Sequence, residues 1–368
     1  MSKRVQDKMN RRVTTFLSVL AVLVLLPLSP SNAASQTGGI CSKAGKTKVI
    51  SGKTFKCIKS GKKLSWILTP SISKVTPEAP KIVETWWRAM LDSRSFSQVP
   101  TVIQSIDIKS APNVPKSETD KIAAHFNDTL IYWSQFVVNP QPLYTTIVSE
   151  KDYEWYMKRW QELGSDNTGQ YWWDKTGNGE GGAVGWNNSG QINMYFKVLT
   201  TRPSTLATRE HVFHEVTHFF QATALKDEVN NTPCWFGEGQ AQFIQSAHAD
   251  KSETVAKSIA IQNRKWAISA VNKYLGASNS VDGLFNALTN ISRGDVLCNR
   301  TEPLLGYTLG QLVNEKLVAD FTWIKVIDFM KKSPENGWQA SFNSTFGISA
   351  EDWYKKDLIP YLIAELKI

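Results

Sequence analysis

The chain has 368 residues, 42% of them hydrophobic and 20% charged, with a formal net charge of +9. That charge is unevenly placed: residues 1–33 carry five basic residues and one acid, residues 41–63 carry eight lysines and no acid, and the remainder is slightly acidic. A chain that is basic over its whole surface is therefore excluded, and the lack of any spanning-length apolar run beyond the N-terminus excludes a protein that crosses a membrane repeatedly.

The first element is a basic stretch, MSKRVQDKMNRR, followed by an apolar run from Val13 to Leu28 and the small residues Ser31, Asn32 and Ala33. This pattern predicts a signal peptide over residues 1–33 and a secreted or cell-envelope location after cleavage. An uncleaved anchor is the alternative, and the short run broken by Pro27 and Pro30 argues against it. Bulky Ile40 before Cys41 argues against a lipid-anchored cysteine. Residues 34–69 follow as a small lysine-rich module with two cysteines and β-prone pieces at 47–50, 54–58 and 64–68, separated by Gly-Lys turns. The segment resembles the C-x-K-x-G…G-K-x-[YF]-x-C…G-K-K-L-x-W units near the N-termini of exported actinobacterial proteins. Its lysines would meet anionic cell-envelope polymers outside the cell rather than nucleic acid, or they form a merely solvated face.

Export also makes Cys41, Cys57, Cys234 and Cys298 candidates for two disulfides, with local pairing favoured as Cys41–Cys57 and Cys234–Cys298. A four-cysteine zinc site would need paired C-x-x-C spacing, which is absent. Residues 70–80, bounded by Pro70 and Pro80, read as a linker.

From residue 81 to 368 the chain reads as one α+β domain, long enough for a core and a cleft. Helices are predicted at 81–92, 117–137 and 151–163, and strands at 143–148 and 191–198, with Gly/Asn-rich turns over 176–190. Within those turns Asp174, Asn178 and Glu180 lack calcium-loop spacing and predict a plain turn. A helix over 204–225 carries HEVTHFFQ, and almost everything after it is helical. The expected architecture is a small sheet half and a helical half, with that helix at their junction.

His214 and His218 stand four apart on one helical face, with Glu215 beside them. Two imidazoles at this spacing can grip one cation while the glutamate reaches a water, the H-E-x-x-H arrangement of zinc hydrolases. Five histidines in 368 residues make a chance match rare. Leaving two histidines and a glutamate unpaired on so apolar a helix would also be costly. One Zn²⁺ per chain is the expected cofactor.

Nineteen residues separate His218 from Glu238, which sits in WFGEGQAQF. This resembles the gluzincin clan of zinc metallopeptidases, in which a glutamate on the next helix, within W-x-x-E-G-x-A, is the third ligand. GYTLGQLV is similar to the clan's Y-x-x-G segment and FNSTFGISAEDWY to its aromatic tail, so the likeness spans most of residues 200–368. It implies a zincin-like fold, His214, His218 and Glu238 as metal ligands, Glu215 as general base, and Tyr307 as oxyanion donor. Thermolysin-like members carry an acid four residues after the third ligand to orient a histidine; here Gln242 stands there, and His211 is a further candidate for supporting the ligands. The G-x-M-E-N string of aminopeptidases is absent, which removes the basis for expecting aminopeptidase activity. The leading expectation is an exported zinc peptidase acting on peptides or proteins. A cell-wall peptide hydrolase and a non-catalytic metal-holding protein of the envelope are the alternatives.

Overall fold

The computed structural model describes residues 40–50, 53–60, 63–68, 84–96, 100–164, 168–177, 179–186, 191–278, 280–292 and 304–367. The expected signal peptide, the linker and Cys298 lie outside the described residues. The chain divides into two compact units, residues 1–81 and 82–368.

The first unit is a three-stranded antiparallel meander, β1 (Thr47–Ile50), β2 (Lys53–Ser60) and β3 (Lys63–Leu68). So small a sheet buries little, and the expected Cys41–Cys57 disulfide closes it, with 6.0 Å between the two Cα atoms. Phe55 and Cys57 alternate inward along β2 while Lys56 and Ile58 face out. Lys48 lays its ammonium 4.5 Å from the Trp66 ring centroid.

The second unit mixes helices with a four-stranded sheet. In chain order it comprises α1 (Thr85–Arg94), β4 (Ile106–Ser110), α2 (Lys116–Ser134), β5 (Leu143–Ser149), α3 (Tyr153–Glu162), α4 (Thr168–Thr176), β6 (Gly181–Trp186) and β7 (Ile192–Val198). A helical half follows: α5 (Arg209–Leu225), α6 (Cys234–Ala247), α7 (Glu253–Leu275), α8 (Val281–Ser292), α9 (Leu305–Phe321), α10 (Trp323–Asn336), α11 (Trp338–Phe346), α12 (Ala350–Trp353) and α13 (Ile359–Leu366). No helix among the described residues is long and apolar enough to cross a membrane.

The sheet order is β4-β5-β7-β6, with β4, β5 and β7 parallel and β6 antiparallel at the edge. β5 and β7 are buried almost throughout, as central strands are, with Thr145, Thr146, Asn193 and Lys197 buried among their apolar residues. β6 corrects the expectation of turns across 176–190: GGAVGW pairs with β7 from Gly181↔Lys197 to Trp186↔Ile192. Its glycines answer to steric limits, because a Cβ on Gly181 would lie 2.2 Å from Thr176 Cγ2 and one on Gly182 would lie 2.6 Å from Glu215 Oε1.

Helix α5 runs between the sheet and the other helices, and its apolar residues Val212, Phe213, Val216, Phe219 and Phe220 are fully buried. Trp133 of α2 stacks on Phe220 at 5.4 Å and 13°, and Trp323 meets Trp133 edge-on. Helices α6 and α9 approach backbone to backbone. A Cβ on Gly239 would stand 2.4 Å from the Gly310 carbonyl carbon, and Asn314 Nδ2 donates to the Trp235 carbonyl at 2.6 Å across the same contact.

Candidate metal centre

Helix α5 begins at Thr208, whose hydroxyl accepts from the His211 backbone N–H at 3.4 Å and lies 2.9 Å from His211 Nδ1. That contact engages the His211 ring at the cap, and burial pushes its pKa down to about 4, so it is neutral at physiological pH. One turn further, His214 and His218 project from the same face, with ring centroids 5.0 Å apart.

The chain leaves α5 through Lys226, held at φ 50°, passes a 3₁₀ turn over Lys226–Asn230, and re-enters a helix after Pro233. This reversal brings Glu238, on the second turn of α6, against both histidines. Glu238 Oε2 is 3.2 Å from His218 Nε2 and 3.6 Å from His214 Nε2, and the two Nε2 atoms are 3.3 Å apart. Four ligands at 2.0–2.1 Å around a tetrahedral Zn²⁺ lie about 3.3–3.4 Å from one another. The three atoms therefore already stand near the edges of such a tetrahedron. Glu238 Oε2 is buried and faces the two imidazole nitrogens, so a cation between them would be shared by all three atoms. Among the described residues this group of His, Cys, Asp and Glu side chains is the one whose atoms converge closely enough to hold a metal ion.

Burial opposes charge on Glu238, but the neighbouring His218 outweighs it and holds the carboxyl well below its usual range. Burial likewise lowers His218, and the Glu238 carboxylate reverses this and lifts it to about 9. In the metal-free chain the His218 pairing thus contributes stability that is complete below pH 6.5 and lost as the pH rises through about 9. A cation taken up at neutral pH displaces the proton that His218 holds.

His218 Nδ1 lies 2.9 Å from Gln221 Oε1. With the amide oxygen accepting, Nδ1 carries the proton and Nε2 presents its lone pair to the site. The Gln221 amide nitrogen in turn donates to the Gly237 carbonyl at 2.9 Å and to Gln240 Oε1 at 2.8 Å. One side chain therefore ties the orientation of His218 to the turn that carries Glu238. Gln242, expected to support a ligand histidine, makes no hydrogen bond to either histidine among the described residues, whereas Gln221 contacts His218. Replacing Gln221 by Leu is expected to weaken Zn²⁺ binding roughly 10- to 100-fold in a chelator competition. Affinity unchanged within twofold would show that Gln221 does not orient the ligand.

A cleft of about 260 Å³ opens over these residues. Its lining includes Gly182, Ala183 and Val184 of β6, Gln221 and Ala222 of α5, Val229, Tyr307, and Trp172 with the exposed Lys175 of α4. Glu215 lies against Gly182 and forms no ion pair among the described residues, and burial raises its pKa despite His214 and His218 nearby. Tyr307 stacks parallel to His214 at 5.7 Å and 3°; burial, then the carboxylates of Glu238 and Glu215, push its phenol up, so it stays protonated. The structure thus brings together His214, His218, Glu238, Glu215 and Tyr307, and leaves His211 at the helix cap. Cys234, four residues before Glu238, is disulfide-bonded, and Cys298, its expected partner, lies outside the described residues. Asp174 and Glu180 are committed to Gln170 and to Thr205 and Arg202.

No protein-family model, no curated protein and no solved structure matches this chain.

Gln221, Gly182 and Lys175 escaped the sequence reading. Gln221 had a usable signal, since it follows His218 by three residues on the ligand face of α5. Gly182 and Lys175 had none, because both lie in segments whose approach to α5 depends on how the sheet closes.

Proposed function

We propose that the chain is an exported zinc-dependent peptidase with the zincin-like arrangement and ligand set of the gluzincins it resembles. The convergence of His214 Nε2, His218 Nε2 and Glu238 Oε2 at cation-ligand spacing, with Glu215 beside them and unpaired, carries this reading. Zinc held there would supply Lewis acidity toward a carbonyl group and a water molecule. Glu215 takes a proton from the attacking water and returns it to the departing amine, and its burial-raised pKa brings its basicity closer to neutral pH. Tyr307 holds its phenolic proton and donates a hydrogen bond to the carbonyl oxygen as charge builds on it. The outer edge of β6 has no strand partner among the described residues and offers main-chain donors and acceptors to an extended peptide lying in the cleft.

Protein purified without chelator is expected to carry one Zn²⁺ per chain by elemental analysis and to degrade casein. A zinc chelator should abolish the activity and added Zn²⁺ should restore it. Protein that holds no metal and regains none on addition would end the metal reading. Bound metal with solubilisation of purified peptidoglycan but no cleavage of casein would move the substrate to cell-wall peptides.

A further inference from the structure

The cations near the cleft are not equivalent. Lys197 is buried on β7, with its ammonium directed to the Gly177 carbonyl and lying 4.1 Å from the Trp173 ring centroid. Arg202 pairs with Glu180. Lys175 forms no ion pair among the described residues, although its charge acts on Glu215 from a distance; its ammonium stands 4.8 Å from the ring centroid of Trp172, three residues earlier on α4, and both residues line the cleft that holds His214 and Glu215. The adjacent acid is turned to another partner: Asp174 Oδ1 accepts from Gln170 Nε2 at 2.7 Å, and Asp174 forms no ion pair with Lys175 among the described residues. An exposed positive charge thus stands beside an indole face at the solvent-facing side of the candidate site.

Such a charge attracts a carboxylate more strongly once a bound peptide displaces water from the entrance. An ammonium is a compact charge that does not demand the bidentate geometry of a guanidinium, so it accepts either kind of carboxylate a peptide carries. We propose that Lys175 selects peptides with a carboxylate close to the scissile bond, supplied by an Asp or Glu side chain or by the peptide's own C-terminus. The inference rests on the peptidase reading above.

The test uses labelled peptides in matched pairs, Glu against Gln at each position near the cleavage point, and C-terminal acid against C-terminal amide. Each is assayed for kcat/KM with the zinc-loaded full chain and for Kd with its zinc-loaded Glu215→Gln variant. Wild type is expected to favour one carboxylate pair by roughly 5- to 30-fold at low salt, less as ionic strength rises. The pair that responds identifies side chain or terminus. Lys175→Met should bring that ratio to within about twofold, Lys175→Arg should retain most of it, and Lys175→Glu should invert it. Equal values for acid and neutral partners in the wild type, or a ratio that survives Lys175→Met, would overturn the proposal. Discrimination in the binding arm without hydrolysis of any peptide would retire the peptidase reading and leave Lys175 as a carboxylate-binding residue.

Discussion

Glu215→Gln is expected to retain one Zn²⁺ per chain while kcat falls by roughly 10²- to 10⁴-fold. The substitution preserves the shape of the side chain, so it keeps the close approach to Gly182 and leaves His214, His218 and Glu238 where they are. What it removes is the capacity to take and return a proton. Zinc content, melting temperature and kcat measured on one preparation separate the outcomes. Turnover near that of the wild type would place the base elsewhere, and loss of the metal would mean that Glu215 helps hold it.

Tyr307→Phe is expected to lower kcat by roughly 10²- to 10³-fold with little change in KM. The parallel ring contact with His214 survives in the Phe variant, so the metal group should stay in place and only the hydroxyl is lost. If that hydroxyl served only to satisfy Glu238, the same change would leave kcat nearly intact and cost roughly 1 kcal/mol of stability or metal affinity. An unchanged kcat with a lower melting temperature would therefore remove Tyr307 from the chemistry.

The residues of the candidate centre were legible because their geometry is local or nearly so. The spacing of His214 and His218 is fixed by helical pitch, and Glu238 lies one turn-and-helix further along the chain. The long helices and strands β5 and β7 were legible for the same reason, since β-branched and aromatic residues cluster in LYTTIV and QINMYFKV. β4, α4 and β6 were not. β4 is five residues long and only partly buried. Helix α4 carries Gly169 because the Trp160 ring leaves no room for a side chain, a Cβ there falling 2.6 Å from Trp160 Cδ1. β6 is written in glycines that normally signal a turn, and the reason for one of them is the Glu215 carboxylate, which sits on a helix more than thirty residues later. Gln221 was visible in HEVTHFFQ, yet its bond to the turn before Glu238 depends on how α6 folds back on α5. Local periodicity records burial, whereas these positions record contacts made between distant segments.

The meeting of Gly239 with Gly310 has a mechanical consequence. Two helices in contact at their main chains have no side-chain cushion between them, so the backbone geometry of that contact sets where α6 carries Glu238 and α9 carries Tyr307. Gln221 links the same α6 turn to His218 on α5. A side chain at either glycine would push the two helices apart and shift Glu238 relative to Tyr307.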